Sequence, residues 1–266
     1  MTTPEPLTYS TYLKLPELLK LQHVLSDPAE HDELLFIVIH QTYELWFLEV
    51  LHELDGVMQR LRCNDLYGSI HTFKRLRTVM KVLVSQLDIL ETMTPTSFAS
   101  FRARLETSSG FQSAQFREIE FALGYKRSNV VKYLKESDPQ TAAVMRRLDE
   151  PDVVDAFYAF LVHHGADADA IASESSDQPD GPRQGIPSVQ DCLVHLYRTR
   201  PDLVILFELM ADFDEGLQEW RYRHVKIVER TIGVKPGTGG SPGVEFLKKS
   251  LFQPIFPDLW QIRVRL

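Results

Sequence analysis

Apolar residues recur at spacings of three and four along most of the chain, the period of amphipathic helices, and no stretch alternates strictly enough to make a sheet. Ser26-Asp27-Pro28 offers an N-cap with proline just inside, so a long helix is predicted from about 29 to 61. Its segment Leu34-Leu35-Phe36-Ile37-Val38-Ile39 is apolar all round, which belongs in the middle of a bundle. A second long helix fits 67–91 and stops before Thr94-Pro95. Shorter helical segments follow around 96–105, 112–123, 127–135 and 138–148, and Pro151 opens another through about His164. The stretch 172–187 carries almost no apolar residue and reads as a flexible surface loop. Helical pattern resumes at Ser188, and a last long helix over 202–232 ends at Gly233, where a C-cap glycine belongs. The prediction is an all-α helical bundle forming one domain over 1–266.

Composition narrows the function. With 266 residues, 44% of them hydrophobic, the chain can bury a full core. Lys and Arg number 29 against 37 Asp and Glu, a formal net of −8, which argues against a nucleic-acid binder. The two cysteines, Cys63 and Cys192, sit in no Cys-x-x-Cys context, which excludes a disulfide framework, a thiolate zinc cluster and a covalently attached c-type haem. The N-terminus has no signal-peptide pattern, and the longest apolar run, Leu34 to Ile39, is too short to span a bilayer. A soluble, cytoplasmic protein is expected.

Two histidines stand out. His40 lies one turn after Phe36 in the most apolar segment, so both project from one helix face. A buried imidazole among aliphatic side chains stays neutral at pH 7, suited either to a core hydrogen bond or to a ligand. Phe213, Leu217, Trp220 and His224 form a second stripe, with Arg221, Arg223, Lys226 and Arg230 around it. A histidine on such a stripe can offer an axial ligand to haem iron, and flanking arginines suit its carboxylates. Spacing alone favours a plainer reading, a basic helix end that complements the dipole.

Directly after this helix, five of the chain's 13 glycines fall within residues 233–243, around Thr238. Such density lets backbone approach an anion, although the pattern is not a P-loop. Ser108-Ser109-Gly110-Phe111-Gln112-Ser113 is a similar segment, and Arg102 shortly before it could fork a carboxylate or simply face solvent. His31-Asp32 hints at a metal site but has no assignable further histidine and distal aspartate, and in His163-His164 with Asp167 and Asp169 adjacent helical residues diverge by about 100°, so both read better as solvated surface.

Five ordered blocks together resemble the tryptophan 2,3-dioxygenase family over nearly the whole chain. They are Tyr9-Ser-Thr-Tyr12-Leu13, the run from His31 through Phe36 and His40 to Trp46-Phe47, Ser108 to Ser113, Trp220-Arg-Tyr-Arg-His224, and Gly237-Thr-Gly-Gly-Ser241. The resemblance implies a helical bundle around haem b, ferrous in the active state. It makes His224 the proximal iron ligand, beside Trp220, and His40 the distal histidine that hydrogen-bonds the indole N–H. Phe36 and Phe98 would wall the indole pocket, and Arg102 and Thr238 would hold the amino-acid end. Ser109 and Gly110 would lie against the distal haem face. The family forms homotetramers, in which Tyr9, Tyr12 and Leu13 of one subunit would complete a neighbour's pocket. The implied reaction is cleavage of the indole C2–C3 bond of L-tryptophan by O2 to N-formylkynurenine.

Two positions depart from the family pattern. Pro242 replaces a residue that is usually serine, removing an N–H near Thr238, and Leu48 stands where relatives often carry lysine. Relatives on the same scaffold insert a single oxygen into substituted tryptophans, such as a β-methyl derivative, to give a 2-oxindole. That alternative remains open from sequence, as does a non-haem helical hydrolase built on His31-Asp32.

Overall fold

A computed structural model describes residues 6–133, 139–175, 181–238 and 243–266. Its α-helices run, in order, α1 Tyr9–Tyr12, α2 Leu15–Leu18, α3 His31–Arg62, α4 Leu66–Leu90, α5 Pro95–Arg102, α6 Ala114–Ala122 and α7 Pro139–Asp149. They continue as α8 Val153–Val162, α9 Ala168–Ser175, α10 Pro187–Thr199, α11 Pro201–Ile232, α12 Val244–Lys248 and α13 Pro257–Gln261. Among the described residues there is no β-strand, only one isolated bridge between Lys126 and Gly181. The all-α expectation holds.

The three long helices set the frame. α4 packs along both α3 and α11, while α3 and α11 barely meet each other. Leu54, Val57 and Leu61 of α3 are fully buried with Phe73 and Leu76 of α4 and Leu206, Phe207 and Met210 of α11. Each such side chain contributes roughly 1.5–3 kcal/mol of hydrophobic stabilisation. By length and composition α3 could cross a bilayer, which its short apolar run did not suggest. Here its inner side instead packs against α4, α6 and α8.

Caps explain most helix ends. Asp65 accepts from the Gly68 N–H at 2.9 Å to start α4, and Thr94 accepts from Ser97 at 3.0 Å to start α5. Gly233, at φ 62°, ends α11 with its N–H on the Glu229 carbonyl at 2.9 Å. The start of α3 differs from expectation. Its N-cap position is Glu30, and Ser26 Oγ instead accepts the Glu30 N–H from outside the helix. The buried Glu33 carboxylate takes the N–H groups of Leu25 and Ser26, folding residues 25–30 back onto the helix. The segment expected around 127–135 forms a 3₁₀ helix over Ser128–Tyr133.

The segment 172–187 is also more ordered than its composition suggests. Its first residues belong to α9, which ends at Ser175. Arg183 donates to Asp152 at 2.6 Å and to Asp155 at 2.7 Å, and the buried Ile186 donates its N–H to Asp258 at 2.6 Å. Residues 176–180, the middle of the expected loop, lie outside the described residues. The C-terminal turns are held similarly. Asp214, buried in α11, accepts from Ile255 N–H, Phe256 N–H and Trp260 Nε1 at 2.9–3.1 Å.

Candidate active site

A cavity of about 260 Å³ lies between α3 and α11, lined also by residues of α5, α6, the 108–113 segment and the turn at 237–238. His40 and Phe36 line it from α3, their ring centroids 4.1 Å apart. Phe98 of α5 stands 5.7 Å from Phe36, centroid to centroid. His40 Nδ1 lies 2.7 Å from the Phe36 carbonyl oxygen. A carbonyl can only accept, so Nδ1 carries the proton, and neutral His40 keeps Nε2 as a lone-pair acceptor. Burial depresses the pKa of His40, against the opposing pull of the Phe36 carbonyl and Glu44, so the ring is neutral at pH 7.

His224 lines the cavity from α11. Trp220, one turn earlier, stacks on it with centroids 5.0 Å apart and planes 18° apart. Trp220 is itself packed by Phe116 at 5.0 Å and met edge-on by Tyr43 and Phe47. Tyr43 is anchored through its hydroxyl, which donates to the Leu83 carbonyl at 2.7 Å, and burial pushes its pKa to about 12. Burial lowers the pKa of His224 to about 4, with further repulsion from His40 and Arg117. A neutral imidazole with no hydrogen bond to a described residue, lining a cavity, has the chemistry of a metal ligand.

The polar end of the cavity joins the two glycine-bearing segments. Arg102 Nη2 donates to the Pro236 carbonyl at 3.0 Å, and the Thr238 hydroxyl donates to the Ser108 carbonyl. Ser109 and Gly110 line the cavity beside them. Gly243, at φ 68°, closes the turn where a Cβ would come within 2.8 Å of the Lys235 carbonyl oxygen. Gly239, Gly240, Ser241 and Pro242 lie outside the described residues, so the departure at Pro242 has no structural account.

Of a third group of side chains the sequence pattern marks Arg221, beside His224, but not Arg117, Glu120 or Arg127. Arg117 and Glu120 of α6, Arg127 and Arg221 all line the same cavity. Glu120 accepts from Arg117 and, at 2.8–2.9 Å, from Arg127. Arg221 Nη1 donates to the Gln253 carbonyl at 2.9 Å. The other basic residues around His224 turn elsewhere: Arg223 pairs with Asp88 at 2.6 Å and Glu91 at 3.3 Å, Arg230 reaches Glu91, and Lys226 pairs with Glu229.

The match to the family model for tryptophan 2,3-dioxygenase covers residues 2–159 and 188–266. The chain belongs to the tryptophan 2,3-dioxygenase family. It is 48% identical over 264 residues to a tryptophan 2,3-dioxygenase from Herpetosiphon aurantiacus, covering 98% of this chain and 99% of that one. A relative of the same name from Anaeromyxobacter dehalogenans is 46% identical, covering 97% and 95%. One from Caulobacter vibrioides is 40% identical, covering 98% and 99%. The internal stretch outside that match, 160–187, includes α9 and the Arg183 anchor.

Of the residues that the family resemblance singles out, Phe36, His40, Phe98, Arg102, Ser109, Gly110, Trp220, His224 and Thr238 meet around one cavity. Tyr9, Tyr12 and Leu13 do not line it, and they are exposed on and just after α1, Tyr9 to 76%. The candidate metal residues do not converge: no group of three or more His, Cys, Asp or Glu is placed to hold an ion among the described residues. His163 faces the Arg62 carbonyl at 3.3 Å, and Asp167 accepts the N–H groups of Asp169 and Ala170 at the start of α9.

Proposed function

We propose that this protein is a soluble, cytoplasmic haem b enzyme that opens the indole ring of L-tryptophan with O2, giving N-formylkynurenine. The observation that carries the reading is the placing of two neutral histidines, His40 and His224, on one apolar cavity that ends at Arg102 and Thr238. His224 would ligate the iron, with its ring plane set by Trp220, while Ser109 and Gly110 would border the haem. Haem b, when bound, supplies the ferrous iron at which O2 is activated for addition across the indole C2–C3 bond.

The chain's own residues then position the substrate. His40 Nε2 accepts the indole N–H and is fixed for that task by its Nδ1 bond to Phe36. Phe36 and Phe98 exclude water from the ring being opened. Arg102 would exchange its bond to the Pro236 carbonyl for the substrate carboxylate, and Thr238 would meet the ammonium and carboxylate group. Holding both ends of the amino acid fixes the reacting carbons against the cofactor instead of leaving them to diffuse.

We further propose a homotetramer. Leu34, Val38, Leu45 and Leu48 are exposed along the outer face of α3, and Tyr9, Tyr12 and Leu13 are exposed at the N-terminal end. A second copy of the chain would cover these surfaces, with the tyrosine-bearing segment completing the neighbour's pocket.

The test is mass spectrometry of the product formed under ¹⁸O2 by reduced, haem-loaded protein. Two labelled oxygens in a ring-opened product are expected. One oxygen, or turnover only with a substituted tryptophan, would replace this reading by the oxindole-forming alternative, which no described residue favours.

A further inference from the structure

We propose that Arg117, Arg127 and Arg221 form the receptor for the two carboxylates of a porphyrin cofactor, so that Arg221 keeps that role among the basic residues flanking His224 while Arg223, Lys226 and Arg230 do not. The inference rests on the haem reading above and adds the site that would hold the cofactor's anionic edge.

Charge balance comes first. Besides Arg102 at the far end, three guanidinium groups line the cavity, and the carboxylate they meet is Glu120, shared by Arg117 and Arg127. Among the described residues Arg221, 3% exposed, donates to carbonyl oxygens alone, those of Ser250 and Gln253. The cluster therefore holds two positive charges in excess of its acid, in a place where solvent cannot balance them. Buried charge of that kind persists when a bound group of opposite sign completes it. Two carboxylates would do so.

Unused donors point the same way. The Nε groups of Arg117, Arg127 and Arg221, together with Arg221 Nη2, are buried with no acceptor among the described residues. The guanidinium planes are also held in place. Arg127 and Arg221 lie over Tyr125, at 4.4 and 5.1 Å from its ring centroid, and Arg117 lies near Phe111 and Phe116. Planar forks fixed by aromatic rings are preorganised for carboxylate oxygens.

The choice of a porphyrin over a free anion follows from the neighbour. Arg221 sits three residues before His224 on α11, so both side chains project from one helix face. A ligand that engages both must present a metal centre and anionic groups on one rigid body. The amino-acid substrate has its own arginine, Arg102, which reaches the 233–238 turn from α5.

The experiment compares binding of iron protoporphyrin IX and its dimethyl ester to the full-length apoprotein, by Soret titration and by the rate of transfer to a scavenging apoglobin. Wild-type protein is expected to hold the free acid at least tenfold more tightly than the ester. Arg221→Gln and Arg127→Gln are each expected to remove most of that ratio while leaving ester affinity unchanged. Equal affinity for the two porphyrins in wild type, or variants that weaken both alike, would overturn the assignment while the haem reading stands. Absence of a Soret complex with either porphyrin would overturn the haem reading and this site with it. If Arg221→Gln fails to fold, the wild-type comparison and Arg127→Gln decide the question.

Discussion

Trp220 lies one helical turn before His224 and stacks on its imidazole, 5.0 Å between centroids and 18° between planes. The indole is wedged by Phe116, Tyr43 and Phe47, so the histidine ring cannot turn without disturbing a buried aromatic cluster. Aromatic pairs of this kind contribute about 0.5–1.5 kcal/mol beyond their buried area. Trp220→Ala is expected to destabilise the fold by about 3–5 kcal/mol, as large-to-small core substitutions do. Trp220→Phe, which keeps a ring against His224, is expected to cost much less and to retain a Soret band. His224→Ala is expected to lose the normal Soret spectrum while unfolding cooperatively. Denaturant melts and absorption spectra of the three variants check this, and an unchanged Soret in His224→Ala would remove the proposed iron ligand.

The tautomer of His40 gives a second test. Nδ1 is committed to the Phe36 carbonyl, so Nε2 can accept from an indole N–H but cannot donate to it while the ring is neutral. His40→Ala is expected to raise KM for tryptophan by roughly tenfold, the value of about one buried hydrogen bond. It is expected to do far less to 1-methyltryptophan, which has no N–H to offer. Equal losses on the two substrates would assign His40 to packing alone.

The same histidine sets the pH dependence. Burial lowers its pKa in the folded protein, so its neutral, accepting form persists below the usual imidazole range. The profile of kcat/KM should therefore stay flat as pH falls from 8 through about 6.5, the unperturbed value, and drop only at lower pH. The sign is the same for stability, because a group that must charge against burial withdraws folding free energy as pH falls below its unfolded pKa. A fall in kcat/KM already centred near 6.5 would mean that His40 is solvated in the working enzyme.

Arg102 is tied to the carbonyl of Pro236, with its Nε buried and without an acceptor among the described residues, so it spans the gap between α5 and the glycine-rich turn. A substrate carboxylate would be a stronger partner than that carbonyl. Arg102→Ala is expected to cost several kcal/mol of tryptophan binding, since it leaves a desolvated carboxylate without its cation. Tryptamine, which lacks the carboxylate, should bind wild type and variant alike. A variant that keeps the wild-type KM for tryptophan would make the carboxylate assignment wrong.

What the sequence made legible was local. Helical period identifies α3, α4 and α11 to within a few residues, and the i to i+4 relation puts Phe36 with His40 and Trp220 with His224 on shared faces. Which faces meet was not legible, because nothing in local spacing says that α3 and α11 both lean on α4 and leave a gap. Arg221 lies about a hundred positions after Arg117 and Arg127, so no window of sequence could join the three. The start of α3 departs from the local pattern for a related reason: Glu33 reaches back to Leu25 and Ser26, which competes with capping by Ser26-Asp27. Short helices such as α9 and α12 offer too few turns for a period to register.

The segment 172–187 shows the same limit and yields the last prediction. Its polar composition reads as a free loop, yet Arg183 lies 31 positions from Asp152 in sequence and donates to it at 2.6 Å. Asp152 is fully buried and also caps α8, accepting the N–H groups of Val154 and Asp155. Removing the arginine leaves that carboxylate buried beside Lys126, 3.9 Å away, as its remaining cation. Arg183→Ala is expected to destabilise the protein by about 3–5 kcal/mol, the usual result of breaking one side of a buried pair. It should also expose the backbone around 181–186 to protease. Arg183→Lys, which restores charge without the fork that reaches Asp152 and Asp155 together, is expected to recover only part of the loss. Chemical denaturation with limited proteolysis of the same samples checks both effects. Wild-type stability in Arg183→Ala would mean that the ion pair only balances its own desolvation and that the segment is held by Ile186 instead.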